Sequence, residues 1–446
     1  MEFSDLYKQS NAALAKFSPD GQYIAVAVEH RLIVRDSENP KRIHRVFGST
    51  YSAPFIQEVA WSYNSQLVLT ASYTSNRVDV WSIEDETWRC AITDEVARIE
   101  RALWAPDSRH VLTFSELDLR LSIWTLEPDA ERRFIQYPKA AVGVSFHPDG
   151  TYMAVAQRHD YHDHIGIYDT HDWRLVREVA LDTIDVSGLS WSPDGLHIAA
   201  WDTAANFCAV VVNVAGLVKR QLQPDDAGLG VRSCAWGPSG QLLALGGYDR
   251  VVRVLSNVTW RPIATLTHRA TVSGDADVFE EVEVGQSLAH QAKAAVAAAQ
   301  QSRQHTRFDL MATPAQIRTV VAGDAHRGEA RSGMWIVAFN AEGTLLATVC
   351  DAMPNALWVW RTSDMRLVAV VQTLRPIRAC QWSPVEPTLA FVTGTPTVYL
   401  WKQDHGCHLY EVPSATVAAT ELRWNPNGDS MAILSKGLFS LAFITD

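Results

Sequence analysis

Seven consecutive residues, Arg158-His159-Asp160-Tyr161-His162-Asp163-His164, form the densest run of imidazoles and carboxylates in this chain. Alternate residues of an extended strand share a face, so His162 and His164 could hold a metal ion between them. Their spacing matches no established zinc pattern, and a polar surface hairpin has the same composition. Metal binding therefore ranks below contact with a partner, a plain solvated loop is the simplest alternative, and no metal or cofactor is assigned. A second set, Asp20, Asp107, Asp149 and Asp194, resembles a ring of catalytic carboxylates. Each follows a proline, however, and the set recurs at turn positions, which makes these side chains caps of tight turns. No phosphate-cradling glycine loop, nucleophile elbow or metalloprotease helix is present, so the chain reads as a non-enzyme.

The elements that carry these residues follow a ruler. The stretch Trp191-Ser192-Pro193-Asp194-Gly195 closes one apolar run and opens the next, and weaker or equal copies begin at Phe17, Trp61, Trp104, Phe146, Trp236, Phe339, Trp382 and Trp424. The interval is about 42 to 45 residues, with one of about 103, and such a period marks a repeat architecture. Roughly twenty residues after a marker comes a second anchor, clearest at Trp81, Trp124, Tyr168, Trp360 and Trp401. Each unit holds short strands separated by turn residues and lacks the long amphipathic stretches of a helical repeat, so it is a four-stranded propeller blade. Nine markers predict an all-β, closed ring of about nine four-stranded blades, with eight as the alternative count. After Trp424 only Ser430 to Leu434 and Leu438 to Ile444 read as strands, which leaves the final blade one strand short. The segment Phe3 to Tyr7 is expected to supply it and close the ring.

The propeller is expected to occupy 1–446, with 269–333 inserted as a loop or arm. Its neighbours are an outer strand at Val258 to Leu266 and the Phe339 marker. Within it, Val278 to Val284 reads as a strand and Gln286 to Gln304 as an alanine-rich, weakly helical stretch. Strands alternate direction within a blade, so links between blades share a face with the turns joining second and third strands. That face should carry the insertion, the 158–164 stretch, Tyr73 with Arg77, and Met353 with Asn355. Arg158, His159, Tyr161, His162, His164, Tyr73, Arg77, Met353 and Asn355 are thus the candidate partner-binding residues.

The charge balance, 39 Lys and Arg against 50 Asp and Glu, gives −11. Binding to nucleic acid needs clustered cations, so an acidic chain argues against it as the main partner. Six scattered cysteines without a Cys-x-x-Cys pair signal neither zinc nor disulfides. The N-terminal residues lack a secretion signal's basic and apolar regions, and no apolar run is long enough for a membrane span. A cytoplasmic, monomeric protein is the expectation.

The blades resemble the WD-repeat family, most closely along Gly246-Gly247-Tyr248-Asp249-Arg250-Val251-Val252-Arg253-Val254, with Asp249 in that family's tight-turn position. The Trp-Asp and Gly-His dipeptides are missing, so apolar packing between sheets is expected to carry most of the stability. Further stretches are similar to the centrosomal and spindle-pole proteins of the WRAP type: Tyr137-Pro138-Lys139-Ala140, Trp201-Asp202-Thr203, Asn257-Val258-Thr259-Trp260, 354–360 and 428–436. This resemblance runs from Phe3 to Phe443. It implies a non-catalytic scaffold at the centrosome, spindle pole or basal body that works with a coiled-coil anchoring protein and, in fungi, a minus-end-directed kinesin, in microtubule anchoring, spindle and cilium assembly. An adaptor in an RNA or translation assembly is the alternative, which the acidic balance disfavours.

Overall fold

The Trp191 turn adopts the geometry its residues demand. Gly195 sits at φ +72°, Asp194 accepts the Leu196 amide at 3.0 Å, and Ser192 Oγ accepts the His197 amide at 2.9 Å. Asp20, Asp107 and Asp149 accept the amides of Gln22, Arg109 and Thr151 at 3.1, 2.9 and 2.8 Å. All four carboxylates cap their own turns.

These turns punctuate nine sheets. The computed structural model describes residues 1–48, 55–127, 132–139, 141–223, 229–283, 306–319 and 333–444. Blades one to six span 15–47, 58–93, 99–136, 144–181, 186–222 and 231–267. Blades seven to nine follow at 334–372, 379–411 and 421–443. Blades one to eight each contain four strands joined antiparallel in chain order, and one hydrophobic cluster fills each seam between neighbours. A ninth cluster, in which Ile24 and Val26 pack with Leu434, Phe439 and Leu441, joins blade nine to blade one and closes the ring.

The last blade takes its missing strand from the N-terminus. Glu2–Phe3 and Tyr7–Lys8 both pair antiparallel with Leu438–Phe443. Between them, Ser4 donates its amide to the Leu441 carbonyl at 2.8 Å and accepts the Leu441 amide on Oγ at 2.9 Å, so the side chain keeps the ladder satisfied. Buried Gln9 donates to the carbonyls of Ser435 and Leu438 at 2.6 and 3.1 Å.

Side-chain hydrogen bonds replace the absent Gly-His network. The marker indoles of Trp61, Trp104, Trp382 and Trp424 donate to Lys16, Ala60, Ala338 and Gln381, the residue just before the marker aromatic of the preceding blade, at 2.9 to 3.1 Å. Within blades, Trp81, Trp124 and Trp360 donate to Thr70, Thr113 and Thr348 at 3.0, 2.8 and 2.9 Å. Each such bond contributes about 1 kcal/mol beyond apolar burial, so packing alone does not hold the blades.

The strand expected at Val278 to Val284 occupies Asp277–Glu283 and has a non-local partner. It pairs parallel with Leu367–Gln372, the outer strand of blade seven, and Thr306–Met311 pairs antiparallel with it to give six strands. Near the root of this segment, Val272, Ala276, Val278, Ala315 and Ile317 join the core between blades six and seven. Glu281 is 3% exposed and accepts from Tyr399, Thr306 and the Leu374 amide at 2.9, 2.8 and 2.9 Å. The outer strand of blade six is Pro262–Thr267, shorter than Val258 to Leu266, because the chain turns at Trp260 with φ +53°. The Gln286 to Gln304 stretch lies outside the described residues.

Candidate interaction surface

The 158–164 stretch is a long hairpin and not a loose loop. Strands Tyr152–His159 and His162–Asp169 pair up to His159 opposite His162, so the connection is the two-residue turn Asp160-Tyr161. Both turn residues have positive φ, 46° and 68°, the geometry that matches the twist of the flanking strands. Tyr161 at the tip is 92% exposed.

Alternation along the hairpin separates structural from displayed groups. Asp163 points inward, 1% exposed, and accepts the Val186 amide at 2.7 Å and Thr183 Oγ1 at 3.0 Å, tying the hairpin to blade five. Lys139 and Arg158 lie beside it and both also contact Asp185, Arg158 at 3.0 Å. His164 points the other way, its ring 5.5 Å from that of His159, and His159 packs edge-on to Tyr137 at 5.7 Å. His162 is exposed and offers its carbonyl to His164 Nδ1 at 3.1 Å. Among the described residues no group of three His, Cys, Asp or Glu side chains is placed to hold a metal ion.

The remaining candidates sit on other blades. Tyr73 bridges Glu58 and the Ala102 amide, the latter at 3.0 Å, and burial together with the Glu58 carboxylate pushes its phenol well above the usual range. Arg77 is held in a fork by Asp79 at 2.7 and 2.8 Å. Met353 is buried in the core between blades six and seven, and Asn355 donates to the Thr373 carbonyl at 3.1 Å. Blades two, four and seven are not neighbours, so the structure does not gather these residues into one site.

Sequence reading missed the backbone bonds that tie successive loops of this face together. Glu116, at the turn of blade three, donates its amide to the Arg98 carbonyl at 2.8 Å, Tyr137 to Leu119 at 3.1 Å, and Arg158 to Tyr137 at 3.2 Å. Four loops are thereby sewn into one surface. The available signal was exposed apolar residues next to turns, Leu117, Leu119 and Tyr137, which periodicity alone cannot assign.

The class defined by these features is a WD-repeat propeller. The family model "WD domain, G-beta repeat" matches residues 220–256. The solved C-terminal WD40 domain of Sif2 superposes with a TM-score of 0.55 over 100% of this chain and 99% of that one, at 10% identity, a likeness of fold alone. A mouse relative, WD repeat-containing protein WRAP73, is 35% identical over 452 residues, covering 100% of this chain and 96% of the relative. The chain belongs to the WRAP73 family of WD-repeat proteins. An uncharacterised WD repeat-containing protein of Schizosaccharomyces pombe is 24% identical over 257 residues, 56% of this chain and 48% of that one. Among the described residues no helix is long and apolar enough to cross a membrane.

Proposed function

We propose that this protein is a non-catalytic adaptor at the centrosome, spindle pole or basal body, where it bridges a coiled-coil anchoring protein, with a minus-end-directed kinesin as a further partner, to tether microtubule minus ends. The observation that carries this reading is the 35% identity to the mouse relative across the whole chain, from the N-terminal clasp to blade nine. Charge supports it: tubulin is acidic, and a chain of net charge −11 is repelled from it, so attachment through a bridging partner is the favourable arrangement. The structure also supports a binding surface without chemistry, because the repeated carboxylates are consumed as turn caps. Proximity labelling from an endogenously tagged copy should recover pole or basal-body proteins. Recovery of ribosomal or splicing components without them would sink the proposal.

A further inference from the structure

One arc of the connection face gathers exposed apolar side chains on successive loops. Val96, Leu117, Leu119, Tyr137, Tyr161 and Ile184 are exposed by 81, 81, 50, 51, 92 and 64%. They lie on consecutive loops from the blade two–three link to the blade four–five link. The hydrogen bonds from Glu116 to Arg98, Tyr137 to Leu119 and Arg158 to Tyr137 make these loops contiguous, and the Arg158 contact to Asp185 continues the surface to Ile184. Among the described residues, the same face of blades seven to nine exposes no large apolar side chain.

Two features suit the arc to recognition. Leu117, Tyr137 and Tyr161 hold φ of +60°, +54° and +68°, a region that bulky residues occupy at a cost and that concentrates at functional surfaces. The charge around them is acidic. Glu95, Asp118, Asp160 and Asp182 are exposed along the arc, whereas Arg120, Lys139 and Arg158 are tied to Asp94, Asp163 and Asp185. Arg98 also lies exposed here, its Nε donating to the Tyr73 carbonyl at 3.2 Å. The amides of Glu116, Tyr137 and Arg158 are already bonded between the loops, so the arc is no ladder for an added strand and must be read through side chains.

We infer that this arc docks a basic amphipathic helix of the partner, an inference that rests on the adaptor reading above. The helix satisfies its own backbone, sets apolar residues at i, i+3 or i+4 and i+7 against Leu117, Leu119, Tyr137 and Tyr161, and brings Lys or Arg to the flanking carboxylates. Electrostatic complementarity fixes its orientation and speeds encounter.

Site-specific photo-crosslinking in cells tests this, with benzoylphenylalanine in place of Leu119 and, on the opposite face, in place of Val385. The crosslinks from position 119 should fall on one segment with helical apolar spacing and Lys or Arg flanks. They should drop at least about tenfold in Leu117→Asn with Tyr161→Asn, since Asn tolerates positive φ and preserves the fold. Asp118→Asn with Asp160→Asn, which removes both charges and keeps residues suited to their φ of +53° and +46°, should also lower them, and all variants should melt as the parent does. Crosslinking no stronger than from position 385, capture of an acidic, proline-rich or extended segment or of nucleic acid, or indifference to these substitutions overturns the inference. A basic helix belonging to a protein foreign to poles and basal bodies keeps the inference and sinks the adaptor reading.

Discussion

Trp124 donates its indole N–H to the hydroxyl of Thr113, eleven residues earlier on the neighbouring strand, at 2.8 Å, within a fully buried pair. In blade eight Trp401 pairs with Leu389, as Trp124 pairs with Val111, so the position corresponding to Thr113 is Phe391, and the Trp401 indole nitrogen, equally buried, finds no acceptor among the described residues. Thr113→Val should therefore orphan one indole and cost about 1–3 kcal/mol. Trp401→Phe removes an N–H that is already unsatisfied, so its cost should be the lost packing alone and smaller than that of Trp124→Phe, which also leaves Thr113 without its donor. Urea melts of the four proteins, parent included, check the order. Equal losses for the two Trp→Phe variants would show that the indole–threonine bond contributes nothing.

The ring depends on its clasp. Deleting residues 1–8 strips the partner from Leu438–Phe443 and uncovers Phe439, which packs on Tyr7 at 5.4 Å. An unpaired outer edge invites pairing between chains, so the truncated protein should melt at lower temperature and elute partly as oligomers. Gln9→Ala, which removes two buried hydrogen bonds, should cost about 1–3 kcal/mol without oligomerisation. Unchanged stability and monodispersity after the deletion would refute closure by this segment.

The periodic parts of this fold were legible because their causes are local. An aromatic residue opening a tight turn declares itself within five residues, with Pro-Asp-Gly after Phe17, Phe146 and Trp191 and variants of it at the other six markers, and the nine copies located nine blades. Parallel pairing of Asp277–Glu283 with Leu367–Gln372 was not legible, since the partner lies about ninety residues away and the strand's own pattern fits any sheet edge. The binding candidates fared similarly. The hairpin tip at Tyr161 was visible as polar turn residues, but the inward turn of Asp163 comes from packing against blade five and the burial of Met353 from packing against blade six.

The carboxylate of Glu281 welds the inserted strand to the ring, since its three donors come from Thr306, Leu374 and Tyr399 on three different stretches of chain. Glu281→Ala leaves them unpaired in the interior and should cost about 3 kcal/mol, with Glu281→Gln milder. Replacing 286–304 by a short Gly-Ser link should leave the melting temperature within about 2 °C, because loop length enters stability only logarithmically. Hydrogen exchange at Leu374 distinguishes these cases: it should accelerate in the Ala variant and stay slow in the shortened one.

His268 gives the fold an acid sensitivity of known sign. Its ring packs edge-on to Trp358 and Trp360, and Nε2 lies 2.9 Å from the Thr348 hydroxyl, which already accepts the Trp360 indole. That leaves the hydroxyl proton for Nε2 and a neutral imidazole. Burial, opposed only in part by a backbone bond to Arg250, pushes the imidazole down to about 4 from its ordinary value near 6.5. Between those values the unfolded chain binds the proton and the folded chain does not, so this residue's contribution is intact above about pH 6.5 and is lost as pH falls toward 4. At about 1.4 kcal/mol per unit the loss is at most about 3.5 kcal/mol. Urea midpoints at pH 7.5, 5.5 and 4.5 should decline less steeply in His268→Gln than in the parent. Parallel declines would mean that the imidazole titrates alike in both states.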